Sequence, residues 1–275
     1  MKKSILITGC SSGIGYETAL YLHNNGYEVY ASARHEEDVT RLKEEGLNAL
    51  QLDVTDTDSI DRALSSVLEQ TGGTLYALFN NAGYGQPGAL EDVPSEALRE
   101  QFETNVIGLH ELTKRIIPVM REQGYGRIIQ HSSILGLISL RFRGAYNASK
   151  YAVEGLCDTL RLELQGSDIH VVTMNTGPVH SKFRDNATVK FLEYVDIEKS
   201  HFKKEYEEEV LERKEKKSES DPFTKEPIEV IEKIILALEK KRPKPRYYVT
   251  TATHLLANLK RLLPTAWLDK ILIKV

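Results

Sequence analysis

A tyrosine and a lysine four residues apart are the side chains in this sequence best suited to proton transfer. Tyr146 and Lys150 lie in Tyr146-Asn147-Ala148-Ser149-Lys150, and a spacing of four places both on one face of a helix. A nearby ammonium group favours the phenolate and lowers the pKa of a phenol from its usual value of about 10. We predict that Tyr146 contacts the substrate and acts as general acid in a reduction or general base in an oxidation. On its own, the spacing is more often that of an ordinary amphipathic helix, and it gains meaning only together with a nucleotide-binding turn.

Two further polar residues are placed where they could assist this pair. Ser133 lies 13 residues before Tyr146, after an apolar strand, and its hydroxyl could bind a substrate carbonyl and stabilise charge on the oxygen. The neighbouring Ser132 is the alternative for this role. Asn105 interrupts a helical segment, in which asparagine is a mediocre helix former. It could hold a kink and a water that supplies protons to Lys150, or it could only bend the helix.

A glycine-rich turn precedes the first predicted helix. In Thr8-Gly9-Cys10-Ser11-Ser12-Gly13-Ile14-Gly15, the glycines allow a tight turn and let main-chain N–H groups approach a pyrophosphate. The helix N-terminus that follows favours an anion. This turn predicts a nucleotide site, and the residues expected to contact the cofactor there are Gly9, Ser11, Ser12, Gly13, Ile14 and Gly15.

Residues after the next strands indicate which nucleotide binds. Arg34 ends the second strand, where NAD-binding proteins usually carry an acid, and a guanidinium can hold a 2′-phosphate. We therefore expect NADP(H) rather than NAD(H), unless Arg34 is only a solvated surface arginine. Asp53 could bind the adenine amino group or cap the helix that follows it. The small residues in Asn81-Ala82-Gly83 would admit the nicotinamide ribose, although a type I′ turn would explain the same letters.

Segments with strand character alternate with segments of helical periodicity along the chain. This alternation indicates βαβ units, and we predict a doubly wound α/β Rossmann fold with a mostly parallel seven-stranded sheet and helices on both faces. Ligands bind such a sheet beyond the carboxyl ends of its strands. The predicted strands cover residues 4–8, 27–32, 48–53, 75–79, 126–131, 170–175 and 246–249. The predicted helices cover residues 14–25, 36–45, 57–71, 95 to about 121, 146–165 and 227–238.

Length and composition exclude several classes of protein. The chain has 275 residues, of which 41% are apolar, and this fits one globular domain over residues 1–275. Its net charge of −4 argues against a general nucleic-acid binder. Two cysteines make neither a disulfide framework nor a four-ligand zinc site, so we expect no metal and a reducing compartment. No leader peptide and no long uncharged apolar stretch are evident, and we therefore predict a cytoplasmic protein.

The C-terminal third departs from the alternating pattern. We expect residues 180–226, which include a strongly charged stretch, to form an excursion that covers the substrate site as a lid, although a solvated helix would have the same composition. The amphipathic tail, residues 251–275, is expected to pack on the body or on a partner subunit, to line the pocket, or to contact a membrane surface. The apolar loop 134–142 and Tyr84 are expected to line the pocket with the excursion.

Five motifs, taken together and in this order, resemble the short-chain dehydrogenase/reductase family in its compact single-domain branch. They are TGCSSGIG, NNAG, the segment at Asn105, Ser133 and YNASK. Residues 245–249 and 260–264 are similar to those of retinol and 17β-hydroxysteroid dehydrogenases. The resemblance implies NAD(P)-dependent interconversion of a carbonyl and an alcohol. It implies a catalytic tetrad of Asn105, Ser133, Tyr146 and Lys150, with Lys150 also binding the nicotinamide ribose. It also implies cofactor contacts at Val54, Gly177 and Val179, and a homodimer or homotetramer built on helices 95–121 and 146–165.

One departure from the family pattern follows the sixth strand. Thr176 stands where the family usually has proline, and Ser181 stands where it usually has threonine. We expect cofactor binding to survive both changes. The resulting prediction is an NADP(H)-dependent reductase of an apolar aldehyde or ketone, retinoid-, steroid- or lipid-like. The alternative is a catalytically idle NADP(H)-binding sensor or scaffold.

Overall fold

Seven parallel strands form a sheet at the centre of the protein. The computed structural model describes residues 3–211 and 224–274. The strands are β1 (Ser4–Ile7), β2 (Glu28–Ala33), β3 (Asn48–Gln51), β4 (Ala77–Asn80), β5 (Gly126–Ser133), β6 (Ile169–Thr176) and β7 (Arg246–Tyr248). Their spatial order is β3-β2-β1-β4-β5-β6-β7, and each neighbouring pair is parallel. This order confirms the predicted doubly wound Rossmann fold, whose ligand crevice lies where the order reverses, between β1 and β4.

Helices cover both faces of this sheet. They are α1 (Gly13–Asn24), α2 (Glu36–Glu44), α3 (Thr57–Gln70), α4 (Ser95–Phe102), α5 (Gly108–Gln123), α6 (Gly144–Glu163), α7 (Phe183–Tyr194), α8 (Lys203–Glu205), α9 (Pro227–Glu239), α10 (Thr251–Leu262) and α11 (Thr265–Leu272). Because side chains alternate along a strand, Ile5 and Ile7 pack with α1 and α9, whereas Leu6 packs with α3, α5 and α6 on the other face. The two cysteines are buried in these two apolar layers, as free thiols.

The long helix predicted from residue 95 to about 121 is interrupted. Between α4 and α5, residues Glu103–Ile107 form a π-helical turn that contains Asn105. Gly108 follows it, and a β-carbon at this residue would lie 2.3 Å from the carbonyl oxygen of Val54. The close approach of the α5 N-terminus to the loop after β3 therefore requires a residue without a side chain. The wider turn is typical of functional positions in helices.

Several element boundaries also differ from the predicted ones. Helix α6 begins at Gly144 rather than at Tyr146, two residues after Phe142, which has a φ of 58°. Strand β5 continues to Ser133 because it pairs with β6 as far as Thr176. The amphipathic tail forms two helices, and they are separated at Pro264, which cannot continue the hydrogen bonding of α10.

The excursion after β6 is joined at its base by main-chain pairing. His180 N–H donates to the Lys225 carbonyl (2.9 Å), and Lys225 N–H donates to the Pro178 carbonyl (3.1 Å). Within it, α7 and the π-helical turn Tyr206–Leu211 contribute to a small aromatic cluster with the 139–143 loop. We call this the aromatic cluster; it consists of Ala89, Phe142, Phe191, Val195 and Tyr206. Residues 212–223 of the predicted lid, which include most of its charged stretch, lie outside the described residues.

The described residues contain neither a membrane-spanning helix nor a cluster of metal ligands. No helix within residues 3–211 and 224–274 is long and apolar enough to cross a bilayer. In the same part of the chain, no group of three or more His, Cys, Asp or Glu side chains is arranged to hold a metal ion.

Candidate functional site

The glycine-rich turn lies at the carboxyl end of β1, beside the crevice. Gly9 and Gly13 have φ values of 71° and 60°, a conformation that favours glycine. A β-carbon on Gly15 would lie 2.4 Å from both the Gly9 carbonyl oxygen and Asn81 Nδ2, so the turn can close only on a glycine there. Ser12 makes no capping bond to α1, and no acid occupies the first helical turn. Main-chain donors at this helix N-terminus therefore suit a phosphate group.

The segment after β4 is bound tightly to that turn. Asn81 Nδ2 donates to the carbonyls of Thr8 (2.9 Å) and Gly9 (3.1 Å), and Thr8 Oγ1 accepts from the main-chain N–H groups of Asn81 (3.0 Å) and Ala82 (2.9 Å). A type I′ turn would need positive φ angles at two central residues, and Phe142 is the only described residue other than glycine with a positive φ. The turn interpretation of these letters is therefore wrong.

Two guanidinium groups lie at the end of the crevice next to β2 and α2. Arg34 is exposed at the end of β2 and hydrogen-bonds to the ring of His35 (Nε to Nε2, 3.3 Å). Arg41 of α2 donates to the Ser11 carbonyl within the glycine-rich turn (2.7 Å). The Asp53 carboxylate accepts from Thr55 N (2.9 Å), and the residue that caps α3 is Asp56. The capping interpretation of Asp53 is therefore wrong. Val54, next to it, is buried against the start of α5.

Tyr146, Ser133 and Lys150 meet at the carboxyl ends of β5 and β6. The Ser133 hydroxyl, which accepts from Leu135 N–H (3.1 Å), lies near enough to the Tyr146 phenol to act on its pKa, whereas Ser132 Oγ is buried against Gly136. Geometry thus favours Ser133 over Ser132 as the partner of the phenol. Lys150 Nζ lies 5.6 Å from the centre of the Tyr146 ring and donates to the His131 carbonyl (2.6 Å). Since α6 places both residues on its buried face, the pair faces the crevice.

The electrostatics of this pair differ from the expectation. Burial raises the pKa of Tyr146 to about 12, and the Ser133 hydrogen bond opposes this shift only partly. Burial also lowers the pKa of Lys150 to about 8, with the Glu154 carboxylate acting in the opposite direction. The phenol pKa is therefore raised overall and not lowered as predicted, because desolvation of the phenolate outweighs the effect of the ammonium group, which is hydrogen-bonded to a carbonyl.

Asn105 is fixed by both ends of its side-chain amide. Oδ1 accepts from Tyr84 N–H (3.1 Å), and Nδ2 donates to the Tyr84 carbonyl (2.9 Å) and to Ser149 Oγ (3.2 Å). The π-helical turn aims this amide at the loop after β4 and at α6 together. Asn105 therefore ties the loop that follows Gly83 to the helix that carries Tyr146 and Lys150. The water relay expected at this residue stays a prediction.

The region after β6 covers the crevice from the other side. A β-carbon on Gly177 would lie 2.2 Å from Thr250 Oγ1, and one on Gly13 would lie 3.1 Å from Ser181 Cβ. Val179 pairs with Lys225 at the base of the excursion. The Phe183 ring lies against the Tyr146 ring, with 5.4 Å between centroids. This segment therefore spans the distance from the glycine-rich turn to the phenol.

Apolar side chains surround the phenol. Tyr146 packs in one cluster with residues from loop 134–142 and from α11, including Ile134, Ile138, Leu268 and Leu272. A separate surface cleft of about 900 Å³ is lined by Asn147, Ala148 and Tyr151, on the face of α6 that points away from Tyr146. The first part of loop 134–142 thus packs against the phenol, whereas residues 139–142 of the same loop line the cleft.

Two residues at the site were missed in the sequence. His131 lies on β5 between Asn81 (Nδ1 to Oδ1, 2.9 Å) and Thr176 (Nε2 to Oγ1, 3.1 Å), and Arg41 reaches the glycine-rich turn. His131 is two residues before Ser133, so strand alternation places both on the same face, and this was the available signal. Nothing in the local sequence connects Arg41 with Ser11.

Comparison with known proteins adds family membership to this geometry. A family model described as short chain dehydrogenase matches residues 3–190. The uncharacterized oxidoreductase YbbO of Escherichia coli strain K12 is 40% identical over 272 residues, which cover 99% of this chain and 94% of that protein. Human 17-beta-hydroxysteroid dehydrogenase type 1 is 33% identical over 258 residues, covering 90% of this chain and 77% of that protein. An actinorhodin polyketide ketoreductase solved with NADPH has a TM-score of 0.73 at 28% identity, covering 90% and 95% of the two chains.

A doubly wound sheet with a glycine-rich turn beside a tyrosine–lysine pair defines a class of dinucleotide-binding oxidoreductases. The chain belongs to the short chain dehydrogenase family. The resemblance predicted from the motifs, including the likeness to 17β-hydroxysteroid dehydrogenases, is confirmed.

Proposed function

We propose that the protein is an NADP(H)-dependent oxidoreductase that interconverts an apolar aldehyde or ketone and its alcohol. The observation that carries the proposal is the grouping of Ser133, Tyr146 and Lys150 in one crevice with the glycine-rich turn, joined to it through Asn81 and His131. The related ketoreductase was solved with NADPH, which supports the same cofactor here.

The residues present fit a nicotinamide dinucleotide along the whole crevice. The glycine-rich turn from Gly9 to Gly15 would hold the pyrophosphate, and Asp53 and Val54 would border the adenine. Arg34, with Arg41 nearby, would hold a 2′-phosphate, because a guanidinium presents two donors to a phosphate group. The loop Asn81–Gly83, Gly177 and Val179 would border the nicotinamide end. When bound, the cofactor supplies or accepts the hydride.

Tyr146 is the group that exchanges the proton. With a pKa of about 12, its phenol is protonated at neutral pH and can donate to the oxygen of a carbonyl that is being reduced. Ser133 donates to the same oxygen and stabilises the charge that develops there. Lys150, with a pKa of about 8, is mostly charged at pH 7, and its positive charge favours proton release from the phenol. Asn105 holds the Tyr84 loop against α6, which fixes the position of the pair.

The substrate is apolar on this proposal. The phenol is surrounded by Ile134, Ile138, Leu268 and the Phe183 ring, and none of these can satisfy a polar substrate group. The excursion would cover the bound substrate as a lid, with the aromatic cluster as its anchor on the body. We favour the reduction direction because the cellular NADPH pool is usually reducing.

A panel of straight-chain, aromatic and polar aldehydes and ketones, followed by NADPH absorbance, tests the proposal. We expect turnover of the apolar members and weak turnover of polar ones of similar size. NADH should act much less well, and Arg34→Met should reduce the preference for NADPH over NADH. If the protein binds NADPH tightly and turns over no member of the panel, the idle sensor is the better account.

We also propose that α5 and α6 form the contact between subunits. Tyr151, Leu156 and Leu162 of α6 are exposed large apolar side chains, the last of them with 70% of its surface accessible. Sedimentation analysis should show a dimer or tetramer, and Leu162→Glu should dissociate it while leaving the fold intact. A monomeric wild-type protein at micromolar concentration would refute this contact.

A further inference from the structure

His131 connects the ends of three neighbouring strands. It lies on β5, with most of its surface buried. Its Nδ1 is 2.9 Å from Oδ1 of Asn81, which follows β4, and its Nε2 is 3.1 Å from Oγ1 of Thr176, the last residue of β6. Its main-chain carbonyl accepts a hydrogen bond from the Lys150 ammonium group (2.6 Å). The glycine-rich turn is reached as well, because Asn81 Nδ2 donates to Gly9.

The directions of these hydrogen bonds can be assigned from their partners. Both Asn81 Nδ2 protons are directed at the carbonyls of Thr8 and Gly9, so its Oδ1 faces His131 as an acceptor. The His131 Nδ1 therefore carries a proton, and in the neutral ring Nε2 accepts from the Thr176 hydroxyl. This arrangement needs a neutral ring. Burial lowers the pKa of His131 to about 3, and the nearby charge of Lys150 acts in the same direction.

The partner of the ring, Thr176, stands where the family usually has proline. A proline fixes φ but offers no hydroxyl. In this chain the Thr176 hydroxyl is free to bind the imidazole, with the Ser132 carbonyl as a more distant acceptor at 3.4 Å. The unusual residue at 176 and the histidine at 131 therefore form one structural unit at the end of β5 and β6.

We propose that His131 is a positioning residue that, together with Thr176, holds Asn81 against the glycine-rich turn and holds the carbonyl that orients the Lys150 ammonium group. The inference rests on the proposed function, which gives Lys150 its role. It extends that function by naming two residues that touch neither substrate nor the transferred proton. Both act through Asn81 on the cofactor and through the β5 main chain on Lys150.

The hydrogen-bond directions can be measured without turnover. Long-range ¹H–¹⁵N NMR spectra of the full-length, cofactor-free protein should show His131, assigned by its loss in His131→Phe, as the neutral tautomer protonated at Nδ1. The signal should stay unchanged between pH 8 and pH 5, where an ordinary histidine becomes charged at about pH 6.5. A tautomer protonated at Nε2, or a titration near pH 6.5, overturns the proposal.

Substitutions at the two residues test the positioning role. Thr176→Val and His131→Phe should each weaken NADPH binding about tenfold, measured by NADPH fluorescence, and lower kcat about tenfold. Thr176→Ser should recover most of both quantities because it restores the hydroxyl. The double variant should be no worse than His131→Phe alone, since both substitutions break the same link.

The matched control lies on the same strand. Thr173 is buried on β6, and its hydroxyl makes only a 3.4 Å contact with the Pro245 carbonyl, so Thr173→Val should leave NADPH affinity and kcat near wild type. A Thr176→Val protein that matches this control, or a double variant whose losses multiply, contradicts the proposal. Normal turnover by Tyr146→Phe would reject the proposed function alone, because the NMR and NADPH-affinity results do not depend on it.

Discussion

The cofactor side and the substrate side of the crevice are held together by different forces. Around the glycine-rich turn, the Thr8 hydroxyl, the Asn81 amide and the His131 imidazole form hydrogen bonds with main-chain groups or with one another. These bonds join residues that are 50 or more positions apart in the sequence. On the other side, loop 134–142 and α11 meet through apolar contacts, and the excursion is anchored by the aromatic cluster.

This difference has a chemical consequence. Hydrogen bonds are directional and fix their partners within narrow limits of distance and angle, whereas apolar contacts are non-directional and tolerate repacking at nearly constant volume. We therefore expect changes on the cofactor side to affect cofactor affinity and rate together. Changes on the substrate side should alter KM or partner contacts and leave NADPH affinity unchanged.

The largest effect on NADPH affinity is expected for Gly15→Ala. The new β-carbon would lie 2.4 Å from the Gly9 carbonyl and from Asn81 Nδ2, so the turn must open and release Asn81. NADPH affinity should fall on the order of a hundredfold, as measured by NADPH fluorescence. Gly155→Ala on α6 is the control, because nothing lies within 4 Å of its β-carbon, and it should stabilise the protein by about 0.5–1 kcal/mol. Equal NADPH affinity in the two variants would contradict the close-packed turn.

The next effect concerns pH. Because the pKa of Lys150 is lowered to about 8, the residue is charged below this pH and neutral above it. The charge favours proton release from Tyr146, so kcat/KM for carbonyl reduction should be constant near pH 7 and decrease about tenfold per pH unit well above pH 8. In Lys150→Arg any remaining activity should lose this decrease, since a guanidinium stays charged. A wild-type kcat/KM that rises between pH 8 and pH 9 would contradict the role of Lys150.

A smaller effect is expected at the aromatic cluster. The Tyr206 hydroxyl donates to Asp92 Oδ2 (2.5 Å) and accepts from Ala89 N–H (2.7 Å), which ties the excursion to the body. Tyr206→Phe leaves both partners without this bond and should destabilise the protein by about 1–2 kcal/mol. The KM of an apolar substrate should rise several-fold while NADPH affinity remains at the wild-type value. A loss of NADPH affinity equal to that of Thr176→Val would remove the distinction between the two sides.

The smallest effect is expected at the tail. Leu262 and Trp267 have 78% and 66% of their surfaces exposed, and residues 251–275 carry four basic side chains and one acidic one. We expect weak binding to anionic vesicles in a flotation assay, reduced several-fold by Trp267→Ser, with unchanged turnover of a water-soluble aldehyde. Val189→Ser, at an exposed apolar residue of α7, is the control. Equal flotation with purely zwitterionic vesicles would argue against the charge contribution.

The elements and motifs that depend on local sequence could be predicted. The strand–turn–helix at Gly9–Gly15 and the one-turn spacing of Tyr146 and Lys150 are local patterns, and the alternation of strands and helices predicted the parallel sheet. The π-helical turn at Glu103–Ile107 could not be predicted, because it depends on bonds from Asn105 to Tyr84 and Ser149. The left-handed Phe142 is likewise stabilised by contacts from distant parts of the chain.

The electrostatics of the site could not be read from spacing either. The lysine one helical turn from Tyr146 suggested a lowered phenol pKa, yet burial by Phe183 and the α11 leucines raises it. The direction in which the Lys150 ammonium group points depends on its hydrogen bond to the His131 carbonyl, which lies 19 residues earlier on β5. Long-range packing therefore decides the protonation states that the reaction needs.

The most direct test of the account is the turnover of an apolar aldehyde by Tyr146→Phe, with the affinity for NADPH measured on the same preparation. Removal of one hydroxyl should lower kcat at least a thousandfold, because it removes the group that supplies the proton, while the NADPH dissociation constant changes less than threefold. Turnover within tenfold of the wild-type value, with NADPH still bound, would contradict the assignment of the phenol as the proton donor.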